Sequence, residues 1–116
     1  MQNDDAVYIG HMLDTARRAV AKVEGLTRED YDADDNLQLA LAHMVQIIGE
    51  AAGHVNGEAR DDNPDIPWRQ VIGIRHRIVH DYMHVDFDIL WEVVTRNLPD
   101  LIVLLEAALP PESAGA

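Results

Sequence analysis

The chain has 116 residues, 47% of them apolar, with no cysteine and a formal charge of −12 at neutral pH. That length supports one hydrophobic core, so residues 1–116 are read as a single domain. The lack of cysteine excludes disulfides, thiolate metal sites and thiol catalysis, and the acidic balance argues for solubility and against loose binding to polyanions.

The N-terminus opens on Asn3, Asp4 and Asp5 instead of a basic segment before an apolar run. No stretch approaches the roughly 20 apolar residues of a membrane span, so a cytoplasmic chain with no membrane partner is expected. Ala, Leu, Ile and Val dominate the apolar set and Phe87 is the sole phenylalanine. That suits packed helices better than short strands, and the expected class is all-α.

From Asp4 to Glu24, Ile9, Met12, Leu13, Ala16, Val20 and Val23 recur at three- and four-residue steps, predicting an amphipathic helix capped by Asn3 or Asp4 and ended by Gly25. Thr27 and Asp30 have capping-box spacing, so the acidic stretch to Asp35 is a helical turn or loop. Asn36 to Val55 repeats the helical spacing through Leu37, Leu41, Met44, Val45, Ile48 and Ala52. Asn56, Gly57 and Asp61-Asp62-Asn63-Pro64 mark a loop. Pro67 suits the first turn of a third helix, with Trp68, Val71, Ile72 and Ile78 or Val79 inward. Asp86 caps a fourth, carrying Phe87, Leu90, Trp91 and Val94, until Pro99 kinks or restarts it. Leu101 to Leu109 completes the bundle, Pro110 and Pro111 stop it, and 110–116 is expected to be a flexible tail.

Acids crowd the early segments, whereas Arg69, Arg75, His76, Arg77, His80 and His84 gather in one short stretch, a local anion site inside an acidic chain. Within it, Arg75 to Tyr82 holds two arginines, two histidines and a tyrosine. On a continuous helix Arg75 and His80 would stand about 140° apart and roughly 7.5 Å along the axis. Either the helix ends near His80 and turns that side chain back, or a second copy of the segment completes the site across a two-fold axis. Such a set suits RNA cleavage. The 2′-hydroxyl must lose a proton, the leaving 5′-oxygen must gain one, and the phosphorane gathers negative charge. Histidine moves protons near neutral pH, and arginine offers a charged planar fork to phosphate oxygens. No metal is required, and Tyr82 can stack on a nucleotide or bind the phosphate.

The arrangement Arg75-x4-His80-x-Tyr82 resembles the Arg-x4-His-x-Tyr signature of HEPN-type toxins, in particular the HepT-like group. Val45-Gln46-Ile47-Ile48-Gly49-Glu50-Ala51-Ala52, Pro64-Asp65-Ile66-Pro67-Trp68 and Val85-Asp86-Phe87-Asp88-Ile89-Leu90-Trp91-Glu92 look like that family's sequence in the same order. The resemblance covers about Leu37 to Leu109. It implies a HEPN-type antiparallel bundle of four to five helices that forms a homodimer, brings two motifs into one cleft and cuts RNA, tRNA and mRNA both being open, without a metal or other cofactor. It also implies the toxin of a type VII toxin-antitoxin system, silenced when a cognate nucleotidyltransferase antitoxin adds AMP to the motif tyrosine. Carried over, Arg75 and His80 are catalytic, His76, Arg77 and Tyr82 are RNA-binding or auxiliary, and Tyr82 is the AMPylation site. His76 departs from the family, where asparagine commonly follows the motif arginine.

Plainer readings compete. Arg75 could form a surface salt bridge, His80 could end a helix, and Tyr82 could be a packing residue. Glu50 interrupts an apolar stretch and is either an orienting partner for an arginine or a solvated carboxylate. His76, His80 and His84 would share one stripe of an extended helix and could hold a metal, although two nearby arginines oppose a cation. Trp68 and Trp91 read as core or interface anchors. The competing function is a non-catalytic nucleotide- or substrate-binding subunit of a nucleotidyltransferase.

Overall fold

The computed structural model describes residues 1–81 and 84–110. Helix accounts for 78% of these, and the all-α expectation holds, with one small two-stranded sheet added.

Helix α1 (Asn3–Val23) buries Ile9, Met12, Leu13, Ala16, Ala19 and Val23 along one stripe. Gln2, not Asn3 or Asp4, precedes it and makes no side-chain cap. The acids lie one step too far in for that role. Asp4 and Asp5 occupy the first turn, where negative charge favours the helix dipole, and Asp5 turns inward. Gly25 ends the helix segment at φ +75°, a backbone state that glycine adopts freely. Helix α2 (Arg28–Asp32) forms with the expected capping box: Thr27 Oγ1 accepts from the Asp30 N–H and the Asp30 carboxylate accepts from the Thr27 N–H.

Helix α3 (Asp35–His54) is capped by Asp34 and buries Leu41, Met44, Val45, Ile48 and Ala52. Asp5, 3% exposed, accepts from the Asn56 backbone N–H at 2.9 Å and from its Nδ2 at 2.6 Å. The start of α1 thus meets the residues just beyond α3, and the two helices run antiparallel. The segment expected to be a loop contains α4 (Gly57–Asp62), because Asn56 caps a new helix instead of making a turn: its Oδ1 accepts from the Ala59 N–H at 2.8 Å.

The helix expected after Pro67 is two short ones, α5 (Trp68–Ile72) and α6 (Ile74–Ile78), meeting at Gly73. The break shifts the helical phase. Val71, Ile74 and Ile78 are buried while Ile72 faces out, contrary to the expected pattern. The chain then extends into a hairpin of β1 (Val79–Asp81) and β2 (His84–Val85). Asp86 caps α7 (Phe87–Glu92), as expected. Pro99 neither stops nor sharply restarts the chain. It lacks the N–H that an α-helical ladder would use, and the helix widens just before it into a π turn, Val93–Asn97, that leads into α8 (Leu98–Ala108).

Helix α1 packs against α3 and α8, and α5 and α6 lie on α3. One continuous cluster of buried side chains joins them. The α5–α6 corner comes close to α3 at Gly49: a Cβ there would stand 2.8 Å from the Val71 carbonyl oxygen and 2.9 Å from Ile74 Cγ2. Only glycine lets the α5–α6 corner sit that near. Residues 111–116, most of the expected tail, lie outside the described residues, and among the described residues no helix is long and apolar enough to cross a membrane.

Candidate functional site

Arg75, His76 and Arg77 occupy the last exposed turn of α6, and their side chains have no ion-pair partner among the described residues. Two other arginines of this acidic chain are paired: Arg17 with Glu106, and Arg28 with Asp32 and Asp88. The guanidinium groups of α6 are therefore available to an external anion.

Helix α6 ends at Ile78, before His80, so the helical offset between Arg75 and His80 does not apply. The helix therefore ends ahead of His80, as the first of the two geometries open from sequence requires. The hairpin register pairs Val79 with Val85 and Asp81 with His84, so His80 is the extra residue of a bulge. A bulge redirects the side chain it carries and is a common device beside active sites. The Asp86 N–H donates to the Ile78 carbonyl at 2.6 Å, closing the base of the hairpin.

This closure sets Asp86 against His80. The Asp86 Oδ1 accepts from the Ile89 N–H at 3.0 Å, capping α7, while Oδ2 lies 3.4 Å from His80 Nε2. The Ile89 N–H first, and then His80, hold the Asp86 carboxyl below the usual aspartate range. An ionised carboxylate thus faces the histidine and leaves Nδ1 for proton exchange. A second pair stands beside it: His84 Nδ1 lies 2.7 and 2.8 Å from the two oxygens of Asp81.

The start of α7 is anchored from outside the site. Tyr31, fully buried, donates its hydroxyl to the Phe87 carbonyl at 2.7 Å, and its ring packs on Trp91 with centroids 4.8 Å apart. Burial pushes the Tyr31 phenol up to about 12. Arg28 bridges from α2 to Asp88 on α7. Trp68 is also an anchor, its Nε1–H shared between the carbonyls of Arg60 and Asn63 at 3.2 and 3.0 Å.

His80 and Asp86 thus meet where the hairpin joins α7, and Arg75 stands on α6, which leads into that hairpin. Tyr82 lies outside the described residues. Arg77 also lines an apolar cavity of about 240 Å³, together with Val45, Ile48, Val71, Ile74, Asn97 and Leu98. Glu50 is not an orienting partner of the cluster: it lines a hollow between α1 and α3 with Tyr8, His11 and His54. Nor do His76, His80 and His84 share a helical stripe, since the latter two stand on the hairpin strands. Sequence reasoning read Asp86 only as a cap. The available signal was the short interval from His80 to Asp86, too brief for one helix to end and another to begin without a tight reversal that brings the two together.

The ribonuclease HepT-like family model matches residues 12–108. The chain is 31% identical over 94 residues to a protein of Caldanaerobacter subterraneus subsp. tengcongensis named Putative RNase TTE0752, covering 81% of this chain and 84% of that one. It is 32% identical over 93 residues to a Thermococcus cleftensis protein named Probable ribonuclease HepT, covering 77% and 84%. No solved structure matches it. The chain belongs to the ribonuclease HepT-like family of the HEPN superfamily.

Proposed function

We propose that the protein is a metal-independent RNA endonuclease and the toxin of a type VII toxin-antitoxin pair. The observation that carries this reading is the bulge that sets His80 against an ionised Asp86 directly after the free guanidinium of Arg75. The 2′-oxygen attacks phosphorus, histidine chemistry handles the protons, and Arg75 offers its fork to the charge that gathers on the phosphorane. Because side chains supply both functions, no metal ion is needed, and the product is a 2′,3′-cyclic phosphate or its opened form. His76 and Arg77 extend the cationic end of α6 toward the RNA backbone, and two chains pair to bring two motifs into one cleft.

The test is incubation of the purified protein with total RNA and with tRNA in excess EDTA. Wild type should cleave, while His80→Ala and Arg75→Ala should not, with melting behaviour close to wild type because both side chains are exposed. Activity abolished by chelation and restored by added metal would reject the mechanism.

Control is assigned to Tyr82, modified with AMP by a nucleotidyltransferase partner. A tethered phosphodiester would occupy the arginine fork and put a base in the cleft. On co-expression with the partner, intact mass of wild type should rise by whole AMP units and that of Tyr82→Phe should not. Equal gain on both excludes Tyr82 as the switch.

The formal charge of −12 favours a second reading, a non-catalytic binding subunit of the nucleotidyltransferase, which need not attract RNA in bulk. That protein would bind its partner and leave all RNA intact.

A further inference from the structure

Cleavage through the 2′-hydroxyl needs two proton transfers on opposite sides of phosphorus, and one imidazole cannot serve both in a single in-line step. Resting on the ribonuclease reading, we propose that His84, held by Asp81, is the second proton-transfer group, acting as base on the 2′-hydroxyl while His80 protonates the leaving oxygen.

The hairpin builds two imidazole–carboxylate pairs from different partners. Asp86 faces His80, and Asp81 takes His84 through both oxygens at 2.7 and 2.8 Å. The Asp81–His84 contact joins residues directly opposite each other in the register, and His80 immediately precedes Asp81. The two histidines therefore stand on adjoining strands of one hairpin, which follows directly on α6. Their side chains are 61% and 71% exposed, open enough to meet a polymer from solvent.

The contacts also divide the labour. The His84 Nδ1–H donates to Asp81, so the neutral ring presents its Nε2 lone pair outward, as in an aspartate–histidine base. The His80 Nε2–H donates to Asp86, which leaves Nδ1 as the nitrogen that gives its proton away. As the O2′–P bond forms, the O2′ proton passes to His84 Nε2. As the P–O5′ bond breaks, O5′ takes the Nδ1 proton of His80. The cyclic phosphate and the 5′-hydroxyl balance without a further reactant.

The experiment compares a single-site oligoribonucleotide with its 5′-bridging phosphorothiolate analogue, whose thiolate departs without protonation. His84→Ala should lose roughly 10²–10⁴-fold in kcat on both substrates, whereas His80→Ala should be impaired on the ordinary substrate and recover on the sulfur one. Asp81 is a positioning residue: Asp81→Asn should lower kcat at unchanged KM and add nothing in the His84→Ala background. Wild-type cleavage of ordinary RNA by His84→Ala, or its rescue by the sulfur leaving group, overturns the base assignment. An inactive wild type on every RNA rejects the ribonuclease reading and this inference with it, whereas an active wild type beside a fully active His84→Ala rejects only the role of His84.

Discussion

Asp86 divides its two oxygens between a helix and a histidine, so two substitutions separate its roles. Asparagine is as good an N-cap as aspartate but carries no charge, whereas alanine supplies neither cap nor charge. Asp86→Asn should therefore melt close to wild type yet lose part of the roughly 10²–10⁴-fold that acid-base catalysis supplies, and Asp86→Ala should lose both stability and activity. The sign of the pH dependence follows from the depressed native carboxyl. The folded state binds this proton more weakly than the unfolded chain, so the stabilisation is present above the ordinary aspartate range and is lost as pH falls through the depressed value. The melting gap between wild type and Asp86→Ala should narrow below about pH 4. A gap that stays constant to lower pH removes the charged form of Asp86 from the account. Arg75 and His80 stand out as candidates in the sequence because the chemistry proposed for them is carried by residue type and order. The contact between His80 and Asp86 was not, because it depends on a bulge, and a bulge is fixed by the register of two strands only three and two residues long.

The elements carrying the site are held by one close approach. A methyl group on residue 49 would collide with the Val71 carbonyl and Ile74 Cγ2, on the two helices that lead to Arg75. Gly49→Ala should cost about 1–3 kcal/mol, the usual range for overpacking a well-filled core. In denaturant titration the midpoint should fall at unchanged slope, and cleavage should fall with it as the α5–α6 corner moves. A neutral effect on the midpoint means the corner slides outward without cost. The long helices were legible because α1 and α3 keep their stripe over 21 and 20 residues. The Thr27–Asp30 capping box was legible because both partners are local. Short elements were harder. Asn56-Gly57 serves a turn or a helix start equally well, and the buried Ala59 that settles the matter packs on distant residues. The break at Gly73 is likewise decided by packing on α3, so Ile72 was read as inward although it is exposed. Pro99 announced a disturbance, but its form, a widened turn ahead of the proline, depends on the continuous burial of Val93, Val94 and Leu98.

At the scale of the whole molecule, the difficulty for an RNA-cutting protein is its own charge. With 21 acidic and nine basic side chains, the mean field repels a polyanion. Screening confines each contribution to about 8 Å in physiological salt, so attraction depends on what is concentrated locally. The proposed pairing of two chains beside α6 doubles the local set of Arg75, His76 and Arg77. Such pairing would also cover apolar surface on the same corner, where Ile72 is exposed and Val71 and Ile74 line a cavity. In such a cleft the arginine of one chain and the histidine of the other can act on one phosphate. Arg75→Ala and His80→Ala, each inactive alone, should then regain measurable cleavage when co-expressed, because a mixed dimer retains one intact arginine and one intact histidine in the shared cleft. Mixing after purification should restore activity only as fast as subunits exchange. If each chain instead works with its own Arg75 and His80, every site in the mixture lacks one group and the co-expressed pair stays as inactive as its parents. Sedimentation at the assay concentration supplies the independent check, since a fully active monomer is incompatible with a cleft built from two chains.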